Sequence, residues 1–211
     1  MRSRLVARDA KAWTGGAFLS LKIGEVIEAS TGQFMAQCYE LHQPAPFGSL
    51  VTTREGEVDI YGVVSAAVTS SLEPGRRPIA RGAEEVDEGA VYQSSPQLAK
   101  LLRTDFDAVV VGHRRDDRLH HYLPPRPARI HAFVYVCDAE EVAAFTQSLD
   151  FLSILVNVQW QADELIAALL RQAAAAHQDP RRFLVGAGKE LALLLAGETN
   201  RLNTILRRLR E

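Results

Sequence analysis

Residues 184–197 read LVGAGKELALLLAG. Gly186-Ala187-Gly188-Lys189 has the look of the end of a phosphate-binding loop. Such a loop would place this stretch between a strand and a helix, in a nucleotide-binding α/β sheet. The alternative is a helix interior, which makes the end of the chain a helical layer. The loop requires G-x-x-x-x-G-K-[ST], so that backbone N–H groups curl around phosphate and a hydroxyl reaches magnesium. Here the first glycine position holds Phe183 and the hydroxyl position holds Glu190, a carboxylate that repels phosphate. Phe183, Leu184, Ala187, Leu191, Leu194 and Leu195 form one helical stripe that runs through both glycines. The stretch is therefore read as helix, over 180–196, with Pro180 as its start and Gly197 as its stop. Each glycine costs that helix up to ~1 kcal/mol relative to alanine. Close packing against another helix, or a kink, is the expected reason for them.

The neighbouring residues share the helical period. Leu165, Ile166, Leu169 and Ala173 fall on one face within 161–177, and Leu202, Ile205, Leu206 and Leu209 on one face within 198–210. Asp138 followed by Glu141 is an aspartate form of the capping box. SLDFLSILVNV (148–158) is also assigned to helix. Residues 138–211 thus form a helical bundle.

Before Cys137 the period is that of strands. KIGEVIEA (22–29), QFMAQCYELH (33–42), FGSLVTT (47–53), EVDIYGVVSAAVTS (57–70), FDAVVVGH (106–113) and RIHAFVYV (129–136) are rich in Val, Ile, Tyr and Phe. Ser-Thr-Gly, Pro-Ala-Pro-Phe-Gly and Arg-Glu-Gly separate the first four of them. In EVDIYGVVSA, Val58, Ile60 and Val64 point one way while Tyr61 and Val63 point the other. Apolar residues on both faces indicate a small barrel whose outside is partly covered. The fold class is α+β: a β-barrel over 21–137, then the helical bundle. A polar arm occupies 1–20. An insertion at about 72–103 interrupts the barrel, and within it SSPQLAKLLR (94–103) reads as a helix capped by serine ahead of Pro96.

The 211 residues carry a net charge of −2, which gives no global field to attract nucleic acid or membrane. No apolar run approaches the ~20 residues of a membrane span. The first sixteen residues contain no secretory h-region, so a cytoplasmic location is the expectation. Cys38 and Cys137 sit in strand-like runs and are read as buried, reduced thiols.

Two polar constellations compete for a function. In GHRRDDRLHHYLPPRPARIH (112–131), His113, Asp116, Asp117, His120, His121 and His131 are ligand types for zinc or manganese, and a metal-dependent hydrolase is one reading. The other is a hairpin whose charged turn is RDDR. Adjacent His120 and His121 then face opposite sides of a strand and do not share an ion. The metal candidates are His113, Asp116, His120 and His131. Arginines form the second constellation. Arg114, Arg115, Arg118, Arg126, Arg207 and Arg208 are the nucleic-acid candidates, with Arg129, Arg201 and Arg210 alongside. No nucleophile motif is present, and no cofactor is implied.

Residues 22–71 resemble the HAS barrel, found at the N-terminus of HerA-type DNA translocases and of the catalytic subunits of rotary ATP synthases. Ile23-Gly24-Glu25-Val26, Pro46-Phe47-Gly48-Ser49-Leu50-Val51 and Ile60-Tyr61-Gly62-Val63-Val64 carry the likeness. PPRPARIHAFVYV (124–136) is similar to the entry into that barrel's last strand. The resemblance covers about half of the chain and implies Gly48 and Gly62 as bends or close-approach points. In the family a motor domain with a phosphate-binding loop follows the barrel; here neither is found. The barrel contributes to a ring collar and docks partners, such as the NurA nuclease on HerA. The resemblance thus implies a non-enzymatic accessory or adaptor protein with a protein partner, a HerA-like ATPase in DNA processing or repair. A monomer, a dimer and a higher homo-oligomer all remain open.

Overall fold

The computed structural model describes residues 21–73, 75–159 and 161–210. The arm at 1–20 lies outside the described residues. Seven strands, β1 (Leu21–Ala29), β2 (Gln33–Cys38), β3 (Leu50–Glu55), β4 (Val58–Ser71), β5 (Leu102–Arg115), β6 (Arg118–His120) and β7 (Phe133–Val136), form one antiparallel sheet. Six of them close on themselves in the order β1–β7–β3–β4–β5–β2, because β2 pairs with both β1 and β5. Closure satisfies the backbone donors and acceptors that an open sheet would leave at its edges. β6 lies outside the ring, hairpinned to the end of β5. Its two-residue loop, Asp116-Asp117, has positive φ at both positions, as a type I′ turn requires.

The double-sided apolar pattern of β4 has the expected cause. Ile60 and Val64 point into the barrel with Val26, Phe34, Val51, Phe106, Ala108, Val110 and Val134. Tyr61 and Val63 point outward, into a second core shared with Leu50, Val111 and the helices. Gly62 belongs to the inner face, where a Cβ would lie 2.9 Å from the Phe34 ring and 3.0 Å from the Ala108 Cβ. Gly48 has a different reason. It has φ +86°, and a Cβ there would lie 2.6 Å from the Ala168 Cβ, on a helix rather than inside the barrel.

Helices α1 (Glu88–Ser94) and α2 (Leu98–Leu101) lie in the insertion between β4 and β5. The single helix expected over 94–103 is not formed. Asp87 caps α1 by accepting from the Ala90 N–H, so the helix starts earlier; α2 is one turn, and Leu102 already belongs to β5. After β7 come α3 (Ala139–Phe145), α4 (Leu152–Leu155), α5 (Ala162–Ala174), α6 (Pro180–Leu194) and α7 (Thr199–Arg208). Only one turn of the helix expected over 148–158 forms, with Leu152 and Leu155 buried.

α5 is the centre of the helical layer, with Leu165, Ile166, Leu169 and Ala173 all buried. Its Gln172 holds the barrel: the Ser49 hydroxyl donates to Oε1 at 2.9 Å, and Nε2 donates to the Phe47 carbonyl at 2.7 Å. The Pro46–Ser49 turn is therefore the place where α5 grips the sheet. α6 runs unbroken through Gly186 and Gly188, with Ala187 and Leu191 buried on the expected stripe. A Cβ on Gly188 would lie 3.2 Å from Leu206 of α7, so one glycine does serve helix packing; around Gly186 there is open space. Gly197, with φ +93°, follows the helix in the left-handed conformation of a C-terminal stop. Cys38 and Cys137 are free and buried. No helix among the described residues is long and apolar enough to cross a membrane.

Candidate functional site

The helices cover one side of the barrel. Leu50 of β3, Tyr61 and Val63 of β4, and Val111 of β5 enter the helix-packed core, whereas no residue of β1, β2 or β7 does. On that second side, the alternation Phe133-Val134-Tyr135-Val136 places Val134 in the barrel core and two aromatic rings outside. Lys22 of β1 is directly opposite Tyr135 of β7, and Glu25 opposite Phe133. The Lys22 ammonium stands 4.4 Å from the Phe133 ring centroid and 5.3 Å from that of Tyr39, just beyond β2. Tyr39 and Phe133 are each 46% exposed. Burial raises the Tyr39 phenol above its ordinary pKa, and neighbouring Glu25 and Tyr135 push it the same way. Glu25 also faces His131, Oε2 to Nδ1 at 3.4 Å. The result is an exposed patch of two rings on one cation, with half-buried Tyr135 beside them and a carboxylate at its border.

Such a surface suits protein contact. Aromatic side chains are enriched in interface cores, and a lysine held over two rings supplies cation–π attraction without leaving solvent. Local sequence does not single these residues out as a site. The signal was the two-residue alternation of aromatics in AFVYV (132–136), but nothing local says which face of the barrel the helices leave uncovered.

A polar network lies where the barrel meets the helices. Tyr61 is buried, and its hydroxyl donates to Glu141 Oε1 at 2.9 Å. Arg114 donates to Asp59 Oδ2 from Nη2 at 2.8 Å and from Nε at 3.1 Å, and its Nη2 lies 3.8 Å from Glu141 Oε1. Arg54 holds the other Asp59 oxygen at 2.8 Å. Burial raises the Glu141 carboxyl pKa, while the Tyr61 hydroxyl and the Arg114 charge oppose that rise. The expected capping box is only half made. Asp138 accepts from the Glu141 N–H at 2.9 Å, but the Glu141 side chain turns to Tyr61.

The metal candidates do not converge as a set. His113 and His120 face one another with ring centroids 5.0 Å apart, and the His113 Nδ1 lies 3.1 Å from the Tyr122 carbonyl. His121 turns to the opposite side, against Phe145 and Phe151. Asp116 is exposed at the hairpin tip beside Arg115, and His131 sits with Glu25. Among the described residues, no three His, Cys, Asp or Glu side chains are grouped to hold a metal ion.

The arginine candidates are dispersed as well. Arg114 belongs to the seam network, Arg208 pairs with Glu164, and Arg201 pairs with Asp163 at 2.6 Å. Arg115 and Arg126 do come together, in a groove of about 400 Å³ that also contains Glu55, Glu57, Pro124 and Pro125. Glu55 there is held by Arg129 at 3.2 Å, and Arg115 stands 3.7 Å from Asp116. Arg118 and Arg207 are exposed, one on β6 and the other on α7. No protein-family model matches the chain, and no curated protein does.

Proposed function

We propose that this protein is a non-enzymatic adaptor that docks a protein partner on the β2–β1–β7 face of its barrel. The observation that supports it is the platform of Tyr39 and Phe133 on Lys22, with Tyr135 in register beside it, on the side of the barrel that the helices leave open. The barrel's likeness to the HAS barrel extends the proposal. The partner is a HerA-type DNA translocase, and the work is DNA processing or repair in the cytoplasm. A six-stranded barrel without a triphosphate cradle contributes a contact surface and no turnover.

Arginine-mediated nucleic-acid binding is the weaker reading. Phosphate neutralisation needs arginines free of carboxylates, and here Arg114, Arg201 and Arg208 are paired while Arg115 and Arg126 share a groove with Glu55 and Glu57.

The test uses the purified protein and the HerA-type ATPase of the same organism, with binding followed by calorimetry. Binding that weakens at least about tenfold in a Tyr39→Glu/Phe133→Glu variant is the expected result. Both substitutions are on exposed side chains, so circular dichroism should be unchanged. Absence of binding by the unaltered protein overturns the choice of partner. Binding that ignores the double substitution overturns the choice of face.

A further inference from the structure

The insertion between β4 and β5 carries an unused charge pattern. Every described residue from Leu72 to Gly89 is exposed. The segment is nevertheless anchored. Its base is closed by the Leu72 N–H donating to the Leu101 carbonyl at 2.9 Å. Tyr92 of α1 meets His42, Oη to Nε2 at 2.9 Å. Gly82 folds back onto α1, where a Cβ would lie 3.0 Å from Val91. Long loops of this kind in compact domains are commonly functional.

RRPIARGAEEVDE (76–88) begins basic and ends acidic. The pattern is antisymmetric about the Gly82–Ala83 bond. At equal distances from that bond stand Arg81 and Glu84, Ile79 and Val86, and Arg77 and Glu88. A turn is present here, with the Glu85 N–H donating to the Gly82 carbonyl at 3.2 Å, yet it closes no ion pair between the two halves. Among the described residues, Arg77, Arg81, Glu84 and Glu88 have no ion-pair partner, whereas Arg76 is held by Glu73. Between the charges, Ile79 is 71% and Val86 97% exposed.

We infer that this segment is a self-association site whose occupant is a second copy of the chain. A surface carrying both signs about a midpoint is complementary to itself under a two-fold axis, as isologous dimers require. In the inferred contact the two copies run in opposite directions, so that Arg77 and Arg81 meet Glu88 and Glu84 of the second copy and Ile79 meets Val86.

Sedimentation velocity over a concentration series at about 0.05 M and about 0.5 M salt is the experiment, because pairs of exposed charges are screened at the higher value. The expected result is a monomer–dimer equilibrium that shifts to monomer at high salt. Arg77→Glu/Arg81→Glu leaves Arg76 as the segment's one basic residue against six acidic ones and raises the dimer dissociation constant at least about tenfold through like-charge repulsion. Glu84→Arg/Glu88→Arg does the same with the opposite sign. Mixing the two variants restores the dimer, and so does combining all four substitutions in one chain. A chain that is monomeric at every concentration overturns the inference. So does a dimer that tolerates both charge reversals.

Discussion

The Tyr61 hydroxyl reaches across the boundary between barrel and helices to donate to Glu141 Oε1 at 2.9 Å. Tyr61 lies on β4 and Glu141 in the first turn of α3, eighty residues on, so the bond joins the two halves of the fold. Removing the hydroxyl takes a donor from a carboxylate that is largely buried. Tyr61→Phe should therefore destabilise the protein by about 1–3 kcal/mol, the usual consequence of leaving a buried polar group short of a partner. Chemical denaturation measures it. A change indistinguishable from zero would mean that water or Arg114 replaces the tyrosine without loss.

The same carboxyl gives the protein a pH dependence of defined sign. Burial raises the Glu141 pKa in the folded state above the ordinary glutamate value. Between those two values the folded protein holds the proton more tightly than the unfolded chain. The contribution of Glu141 therefore falls as pH rises through that window and levels off above the folded pKa, whereas His113 and His177, whose pKa values burial lowers, contribute with the opposite sign. Asp105 and Asp107, whose pKa values burial also raises, add to the slope in the same direction as Glu141. Glu141→Gln keeps an acceptor for Tyr61 and has no proton to lose. Denaturation curves from about pH 4 to about pH 8 should show that the stability difference, variant minus parent, grows as pH rises. A difference that is constant or shrinks with pH would exclude a raised Glu141 pKa.

Much of this architecture was legible in the residues, for reasons that the structure makes concrete. The double-sided β4 advertised its two cores because Ile60 and Val64 serve the barrel while Tyr61 and Val63 serve the helices. The RDDR turn was legible because its neighbours alternate as strands and its aspartates tolerate positive φ. What local pattern does not contain is the partner of a side chain. Asp138 and Glu141 have the spacing of a reciprocal cap, and the backbone half forms; the other half loses Glu141 to Tyr61. The aromatic platform was hidden for a related reason. Phe133 and Tyr135 visibly share a face, but that face is open only because α5 docks on the Pro46–Ser49 turn and the helices cover β3, β4 and β5 instead. In the insertion a serine ahead of Pro96 has the look of a helix start, yet Asp87 starts the helix earlier and Ser95 ends it.

The position of Lys189 sets an expectation about nucleotide. It lies inside α6, exposed, and is followed by Glu190. Backbone N–H groups in a helix interior are already paired with carbonyls four residues back, so none is free to cradle phosphate. Adding magnesium and ATP should leave the melting temperature of the protein unmoved, since a ligand stabilises only through binding to the folded state. Lys189→Ala should behave identically. ATP hydrolysis by the purified chain, lost on that substitution, would refute the helical reading at its root.

Two glycines make opposite predictions from the same substitution. Gly62→Ala adds a methyl group to the filled interior of the barrel, 2.9 Å from the Phe34 ring and 3.0 Å from the Ala108 Cβ. Both neighbours are themselves buried, so one must shift, and overpacking of this kind destabilises by roughly 1–3 kcal/mol. Gly186→Ala adds the same methyl group to the middle of α6, where nothing lies within 4 Å. There it removes the entropic penalty of glycine in a helix and should stabilise by up to ~1 kcal/mol. Thermal unfolding of the two variants beside the parent measures both signs. If Gly62→Ala is neutral, the barrel interior is looser than its contacts imply. If Gly186→Ala is destabilising, that glycine has a role that a continuous helix does not explain.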